Sequence, residues 1–249
     1  MFKGFYNLTS GMLTQQRSLN VVGNNLVNIS TAGFKEERYT ATTFDDVLYS
    51  RVGNKQKIYT PVGRQSYIRT TSEIYTNYSQ GVPEPTNIPL DFAIEGEGFF
   101  AVRDADGTVR YTRAGSFSLD EEGYLCFSGW GRVLGRDQQP IQLSTDKIEG
   151  DSSGNIYAEN GGLLGQLGIF AFEDEAALTH NDQGMYTGDG AILVETPKLY
   201  WKYLERSNTD MVRQMTELLT CQRALQSAAE VTRMYDEVMS KASNNLGQL

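Results

Sequence analysis

The amino-terminal segment, residues 4–30, combines a helical apolar repeat with almost no charge, and few structures can accommodate both. Its only charged residue is Arg17, whereas the solvent face of an ordinary amphipathic helix carries more charge. Further apolar side chains (Tyr6, Leu13 and Val27) share one heptad position on the back of the repeat. We therefore predict a helix that needs neighbours on more than one side. Its apolar stripe advances by alternating steps of three and four, with one polar interruption: Phe5, Leu8, Met12, Gln15, Leu19, Val22, Leu26 and Ile29.

The same segment has a low intrinsic tendency to form a helix. Gly11 and Gly23 each cost about 1 kcal/mol relative to alanine, and the asparagines are also unfavourable. An isolated helix of this composition is marginal in water. We expect the segment to be frayed in the free monomer and to become ordered through contacts with partners.

The carboxy-terminal segment, residues 207–249, is predicted to form a second helix with an ordinary number of charges. Ser207 or Asn208 can cap its first turn, where Asp210 adds favourable negative charge. The apolar stripe shifts phase after Leu225, and a residue missing from a heptad repeat overwinds a coiled coil locally. The predicted stripe comprises Met211, Met215, Leu218, Gln222, Leu225, Ala228, Val231, Tyr235 and Val238.

The middle of the chain, roughly residues 65–205, has the composition of β structure. Short runs rich in β-branched and aromatic residues are separated by turn sequences, such as "DADG" at 104–107 and "DEEG" at 120–123. Residues 50–85 are polar and read as irregular, ending in an extended lead-in. The predicted fold is α+β, with terminal helices that form a coiled-coil region and one central, mainly antiparallel β domain. The predicted segments are an assembly helix with a signature loop, an extended linker, the β domain and a second assembly helix: 1–35, 36–85, 86–205 and 206–249.

Charge and composition argue against several classes of function. The net charge is −9 and no Lys/Arg cluster occurs, which disfavours nucleic-acid and anionic-lipid binding. No apolar run is long enough to span a membrane, and the start lacks the apolar core of a cleavable signal peptide. These features alone would indicate a cytoplasmic protein. Cys126 and Cys221 form no recognisable motif, so we interpret both as small buried or half-buried hydrophobic residues.

No motif in the chain indicates catalysis, a cofactor or a metal. "GEGFFA" at 96–101 fits a dinucleotide-binding pattern, but a strand follows it where that pattern requires a helix. His180 is the only histidine, which excludes a two-histidine metal motif, and no nucleophile elbow accompanies it. A glycan-binding or glycan-cleaving β protein, using Trp130, Trp201, the tyrosines and the acidic loops, is the alternative from another functional class.

Three blocks of the sequence resemble the bacterial flagellar rod and hook protein family. "SGMLTQQRSLNVVGNNLVNISTAGFK" resembles the amino-terminal signature, including Asn24, Asn25, Asn28, Gly33 and Phe34. "LDFAIEGEGFFAVRDADGTVRYTRAGSFSLDEEGYL" resembles the central signature, and "SNTDMVRQMTELLTCQRALQSAAEVTRMYDEVM" the carboxy-terminal one. The blocks occur in the family's order and span most of the chain. Val27 departs conservatively from the alanine that is usual there.

The resemblance implies a structural subunit of the basal-body rod that performs no chemistry. Subunits of this family leave the cell unfolded through the flagellar type III export apparatus, which needs no cleavable signal. They then stack helically into a hollow tube, whose inner layer is a coiled coil of terminal helices. The resemblance therefore implies that the protein is exported across the inner membrane and lies in the basal body, in the periplasm or cell-wall space. Its implied partners are copies of itself and related rod or hook subunits. Chain length favours a rod protein over a hook protein, because hook proteins of this family usually carry an additional outer domain. Among rod proteins we expect the proximal type, with a distal-rod or hook paralogue as the alternative.

Overall fold

The computed structural model describes residues 2–43, 47–52, 59–65, 69–143, 145–175, 178–180 and 184–246. The helices are α1 (Phe2–Val27) and α2 (Met211–Leu246). The first ten strands are β1 (Glu37–Thr43), β2 (Val47–Val52), β3 (Tyr59–Gln65), β4 (Arg69–Thr76), β5 (Pro83–Pro85), β6 (Phe92–Glu95), β7 (Phe99–Asp104), β8 (Val109–Thr112), β9 (Phe117–Leu119) and β10 (Leu125–Phe127). The others are β11 (Gly131–Val133), β12 (Ile148–Gly150), β13 (Asn155–Ala158), β14 (Leu163–Gln166), β15 (Ile169–Ala171), β16 (Thr179–His180), β17 (Tyr186–Thr187), β18 (Ile192–Leu193), β19 (Lys198–Trp201) and β20 (Tyr203–Glu205).

The chain divides into two compact units. The helical unit comprises Met1–Leu26, Glu37–Tyr75 and Met211–Leu249, and the β unit comprises Val27–Glu36 and Thr76–Asp210. The family-signature loop after α1 thus groups with the strands, and the strands before residue 76 group with the helices. The four segments predicted from the sequence remain predictions.

In the helical unit, the two helices accompany two pairs of strands. β1 pairs with β4, and β2 pairs antiparallel with β3. The sequence predicted irregular structure for most of this region because its residues are polar. That expectation is wrong for β2, β3 and β4, which contain threonine, tyrosine and valine, residues that are enriched in strands.

In the β unit, antiparallel strands enclose two apolar clusters. The largest sheet has the order β16-β17-β8-β7-β11-β10-β9. β15 joins it through β7, and β18 pairs with β15. β12, β13 and β14 form a second sheet, and β19–β6 and β20–β5 form two-stranded ones. The alternating faces of β7 explain its continuous apolar sequence: Phe100 and Val102 enter one cluster, while Phe99 and Ala101 enter the other.

The predicted α+β composition, with a helix at each end and a central antiparallel β domain, is confirmed. Both predicted hairpin turns are also present. In "DADG" the Gly107 N–H donates to the Asp104 carbonyl over 3.0 Å, and in "DEEG" the Gly123 N–H donates to the Asp120 carbonyl over the same distance. Cys126 is half-buried and Cys221 is buried, and both are free thiols, as expected. Among the described residues, no helix is both long and apolar enough to cross a membrane.

Candidate assembly site

The two helices contact each other in opposite chain directions. Residue numbers in contact rise along α1 while they fall along α2, so the pair is antiparallel. The amide of Asn25 reaches Gln214 and the hydroxyl of Ser18 reaches the thiol of Cys221, both over 3.4 Å. The Thr232 hydroxyl lies 3.8 Å from the Met12 sulfur. Towards the start of α1, a Cβ at Gly4 would lie 2.9 Å from the Tyr235 hydroxyl.

The structure distributes the predicted α1 residues over several environments. Val22 is buried, whereas Phe5 is 41% exposed. Ile29 lies beyond the end of the helix and is half-buried. The remaining five are half-buried within the helix: Leu8, Met12, Gln15, Leu19 and Leu26. Their role in assembly remains a prediction.

The predicted α2 residues divide between two sides of that helix. Half-buried positions are Leu218, Leu225, Ala228 and Tyr235, and exposed positions are Met211, Met215, Gln222, Val231 and Val238. Sequence reasoning missed Gln214, Cys221 and Thr232, which approach α1 instead. With them, the less exposed side of α2 advances by steps of four and three without a phase shift. The spacing of seven residues from Gln214 to Cys221 is a heptad signal that the sequence contains. It was overlooked because several residues on this side of the helix are polar.

Apolar side chains also remain exposed on both helices. On α2 they include Val212, which is 75% exposed, with Leu219, Met234 and Met239. On α1 they include Phe5, Tyr6, Leu13 and Val27. The described chain therefore leaves on each helix a second apolar surface besides the one that faces its partner helix.

Asn25, in the amino-terminal signature, joins α1 to β1. Its side chain is 1% exposed, and it bonds both backbone groups of Glu37. The amide donates to the Glu37 carbonyl over 2.7 Å, and the Asn25 side-chain oxygen accepts from the Glu37 N–H over 3.0 Å. The Asn25 amide thus makes the two backbone hydrogen bonds that a neighbouring strand would otherwise make with Glu37. This explains why an asparagine, a poor helix former, occupies a buried position in α1.

The rest of the signature forms a tight loop in the β unit. The Thr31 N–H donates to the Asn28 carbonyl over 3.1 Å, and the Thr31 hydroxyl donates to the Asn28 side chain over 3.2 Å. Gly33 adopts a φ of 71°, and its N–H donates to the Glu205 carbonyl over 2.8 Å. Phe34, the lone aromatic residue of the signature, is buried. Asn24 is half-buried near the end of α1.

A buried ion cluster follows this loop directly. The Lys35 ammonium lies 2.6 Å from one carboxylate oxygen of Glu205, which also accepts from the Gly81 N–H over 2.8 Å. The Arg113 guanidinium lies 2.7 Å from the other oxygen. Each of these three charged side chains is at most 4% exposed. Arg113 also donates to the carbonyls of Gly96 and Gly98, so every charged group in the cluster has partners.

Burial determines the protonation behaviour of this cluster. Desolvation lowers the pKa of Lys35 below its usual value, because water is lost around the ammonium. The Glu205 carboxylate opposes that shift, and the Arg113 guanidinium adds to it. The Lys35 ammonium also donates to the Ser79 carbonyl over 2.9 Å. The arrangement holds a structural loop in place and presents no open reactive group.

Asn208, which the sequence suggested as a helix cap, connects the same region. Its side-chain oxygen accepts from the Glu36 N–H over 2.7 Å, while its amide donates to the Asn77 carbonyl over 2.7 Å and the Ser79 carbonyl over 3.0 Å. The residue therefore links the signature loop to the segment before β5. Within the described ranges, no group of His, Cys, Asp and Glu residues is arranged to hold a metal ion.

Comparison with known proteins follows the three sequence blocks. Residues 5–35 match the flagella basal body rod protein family, residues 93–158 match the flagellar hook protein FlgE/F/G D1 domain, and residues 202–246 match the flagellar basal body rod FlgEFG protein C-terminal family. These matches contain the signature loop, Arg113 and Glu205 of the ion cluster, and all of α2.

Whole-chain relatives carry related names. The flagellar basal-body rod protein FlgG of Bacillus subtilis (strain 168) is 30% identical over 98% of this chain and 99% of its own length. FlgG of Agrobacterium fabrum is 33% identical over 95% of this chain and 97% of its own length. The flagellar hook-basal body complex protein FlhO of Bacillus subtilis is 28% identical over the full length of both chains. This chain therefore belongs to the flagellar basal-body rod and hook protein family.

Proposed function

We propose that this protein is a structural subunit of the bacterial flagellar basal-body rod. The observation that carries the proposal is whole-length similarity to rod proteins in a chain whose apolar helices lie at both ends. The family is one of structural proteins, which favours this function over the glycan-binding or glycan-cleaving alternative. We retain the proximal type of rod protein as the proposed type.

The terminal helices are proposed to form a coiled-coil region through which copies polymerise helically. The antiparallel contacts between α1 and α2 support pairing within one chain. The exposed apolar side chains on each helix, such as Val212 and Leu13, support further contacts with neighbouring copies. A helix that is apolar on two sides is stable only when both sides are covered.

The partners and location follow from the same proposal. Neighbouring subunits are copies of this chain and related rod or hook proteins. The chain passes through the flagellar type III export apparatus and functions in the basal body, in the periplasm or cell-wall space. Neither nucleic-acid binding nor membrane insertion is part of the proposed function.

Circular dichroism tests whether the helices depend on neighbours. In dilute free protein we expect less helical signal than α1 and α2 together would give, because the glycines and asparagines of α1 disfavour an isolated helix. The missing signal should return when the protein assembles. Full helical signal and protease-resistant ends in the monomer would contradict this expectation.

Charge introduced on the half-buried side of either helix should block assembly. We expect Leu19→Asp and Leu225→Asp each to prevent incorporation and swimming, because an unpaired carboxylate is costly in an apolar contact. The β unit should stay folded, as near-ultraviolet circular dichroism would report. Leu163→Asp is the control: it makes the same change at a leucine of the β unit that is 62% exposed, outside both helices, and should swim normally. Normal swimming of the two helix variants would exclude their positions from the assembly contacts.

A further inference from the structure

Two series of residues spaced seven apart face each other across the helix pair. They meet in antiparallel order, so the first residue of one series lies opposite the last of the other. Contacts join Gly4 to Tyr235 and Ser18 to Cys221. Asn25 and Gln214 close the series at the other end. The two series are Gly4, Gly11, Ser18 and Asn25 on α1, and Gln214, Cys221, Ala228 and Tyr235 on α2.

Packing alone distinguishes poorly between this register and one displaced by seven residues. In the displaced register Tyr235 would lie opposite Gly11 instead of Gly4. Both positions are glycines, and a Cβ at Gly11 would meet nothing within 4 Å, so there is room for the tyrosine. Ser18 would then lie opposite Ala228, which exchanges one small side chain for another. The steric fit of these layers therefore does not define a single register.

The layer formed by Asn25 and Gln214 differs from the others because it is polar and buried. Each of the two side chains is 1% exposed. Asn25 is itself oriented by its two hydrogen bonds to the backbone of Glu37. In the displaced register Asn25 would lie opposite Cys221, and Gln214 would lose the amide group that faces it. A buried amide without its partner is strongly disfavoured, whereas apolar layers tolerate a displacement.

We propose that the buried Asn25–Gln214 amide pair, oriented by the Glu37 backbone, fixes the register in which α1 and α2 pair. Asn25 and Gln214 act as positioning residues, because they set the position of one helix along the other. Because the register decides which side chains point away from the helix pair, it also determines which apolar residues are presented to neighbours. The segment that follows α1 and the segment that precedes α2 supply a competing restraint, and an experiment can separate their effect from that of the amide pair.

Disulfide formation from position 18 reports the register. The experiment uses the full chain with Cys126→Ser and Ser18→Cys in two versions: one keeps the native Cys221, and the other carries Cys221→Ser together with Ala228→Cys. A bond from position 18 to Cys221 reports the observed register, since the Ser18 oxygen lies 3.4 Å from the Cys221 sulfur, and a bond from position 18 to position 228 reports the displaced one. With the amide pair intact, we expect the bond to Cys221 to form about tenfold faster or more than the bond to position 228, as expected when a displacement separates a buried amide from its partner.

Removing the amide pair should abolish this preference. Gln214→Leu keeps the bonds between Asn25 and Glu37, and the double variant Asn25→Leu with Gln214→Leu removes the polar layer altogether. We expect the two crosslinking rates to approach each other to within about twofold in the double variant, because an apolar layer distinguishes registers weakly. Gln214→Leu should give an intermediate ratio.

The control removes a buried polar group that lies outside the proposed pair. Thr14 is buried and donates to the Ser10 carbonyl of its own helix over 2.9 Å, so Thr14→Val should keep the original crosslinking preference. An unchanged preference in the double variant would overturn the proposal, because the segments after α1 and before α2 would then fix the register. Loss of helical circular dichroism together with every crosslink in both Gln214 variants would also overturn it, since the pair would then be required for pairing itself.

Discussion

Replacing Glu205 by glutamine is expected to lower the free energy of unfolding of the β unit by about 3–5 kcal/mol, the range for breaking a buried ion pair. The carboxylate is the only anion within the Lys35–Glu205–Arg113 cluster, and its oxygens lie 2.6 Å from the Lys35 nitrogen and 2.7 Å from the Arg113 nitrogen. Glutamine has a similar shape, but its amide nitrogen faces a cation that it cannot stabilise. Two buried cations would then share one neutral oxygen.

A loss of this size is a large part of a domain stability of about 5–15 kcal/mol. Urea unfolding followed by the fluorescence of Trp130 and Trp201, both in the β unit, measures it directly. The matched control is Glu84→Gln, which removes a carboxylate 3.0 Å from Arg206 where both side chains are more than half exposed. That change should cost less than about 1 kcal/mol, because water solvates both charges. Equal losses for the two variants would show that the buried cluster contributes no more than a surface pair.

The helices were predictable because an apolar repeat at helical spacing depends only on nearby residues. The pattern identifies an apolar side of a helix but does not identify what covers it. Met211 and Met215 were assigned to the predicted stripe because they are apolar, yet both are exposed in the described chain. Gln214 was overlooked for its polarity, although it is buried beside Asn25. A buried polar pair can be recognised only when both partners are seen in three dimensions.

The ion cluster was not predictable for a different reason. Lys35, Arg113 and Glu205 are far apart along the chain, and each alone reads as an ordinary surface charge. Two of them lie in quoted signature blocks, "TAGFK" and "YTRAG", but the blocks do not reveal that they share a partner. Only the antiparallel arrangement of the β unit brings these segments together, since it places β20 beside the loop that contains Gly33.

Replacing Gly33 by alanine is expected to destabilise the signature loop by about 2–6 kcal/mol, from backbone strain of about 1–3 kcal/mol together with overpacking of about 1–3 kcal/mol. Its φ of 71° is unfavourable for a residue with a side chain. A Cβ there would also lie 2.3 Å from the Ala114 nitrogen and 2.5 Å from the Arg113 carbonyl carbon. Both are backbone atoms that cannot rotate away, so the loop must move.

The movement should separate Gly33 from Glu205 and thereby loosen the loop that leads from α1 to the ion cluster. Hydrogen exchange at the residue 33 amide, which donates to the Glu205 carbonyl over 2.8 Å, measures that separation, and urea unfolding measures the accompanying stability loss. Gly107→Ala is the matched control: its φ is 81°, but a Cβ there meets nothing within 4 Å. It should lose only the strain contribution, about 1–3 kcal/mol. If both alanine variants lost the same stability and kept the same protection, the contact with Ala114 would have no energetic importance, and the glycine would be required for its φ angle alone.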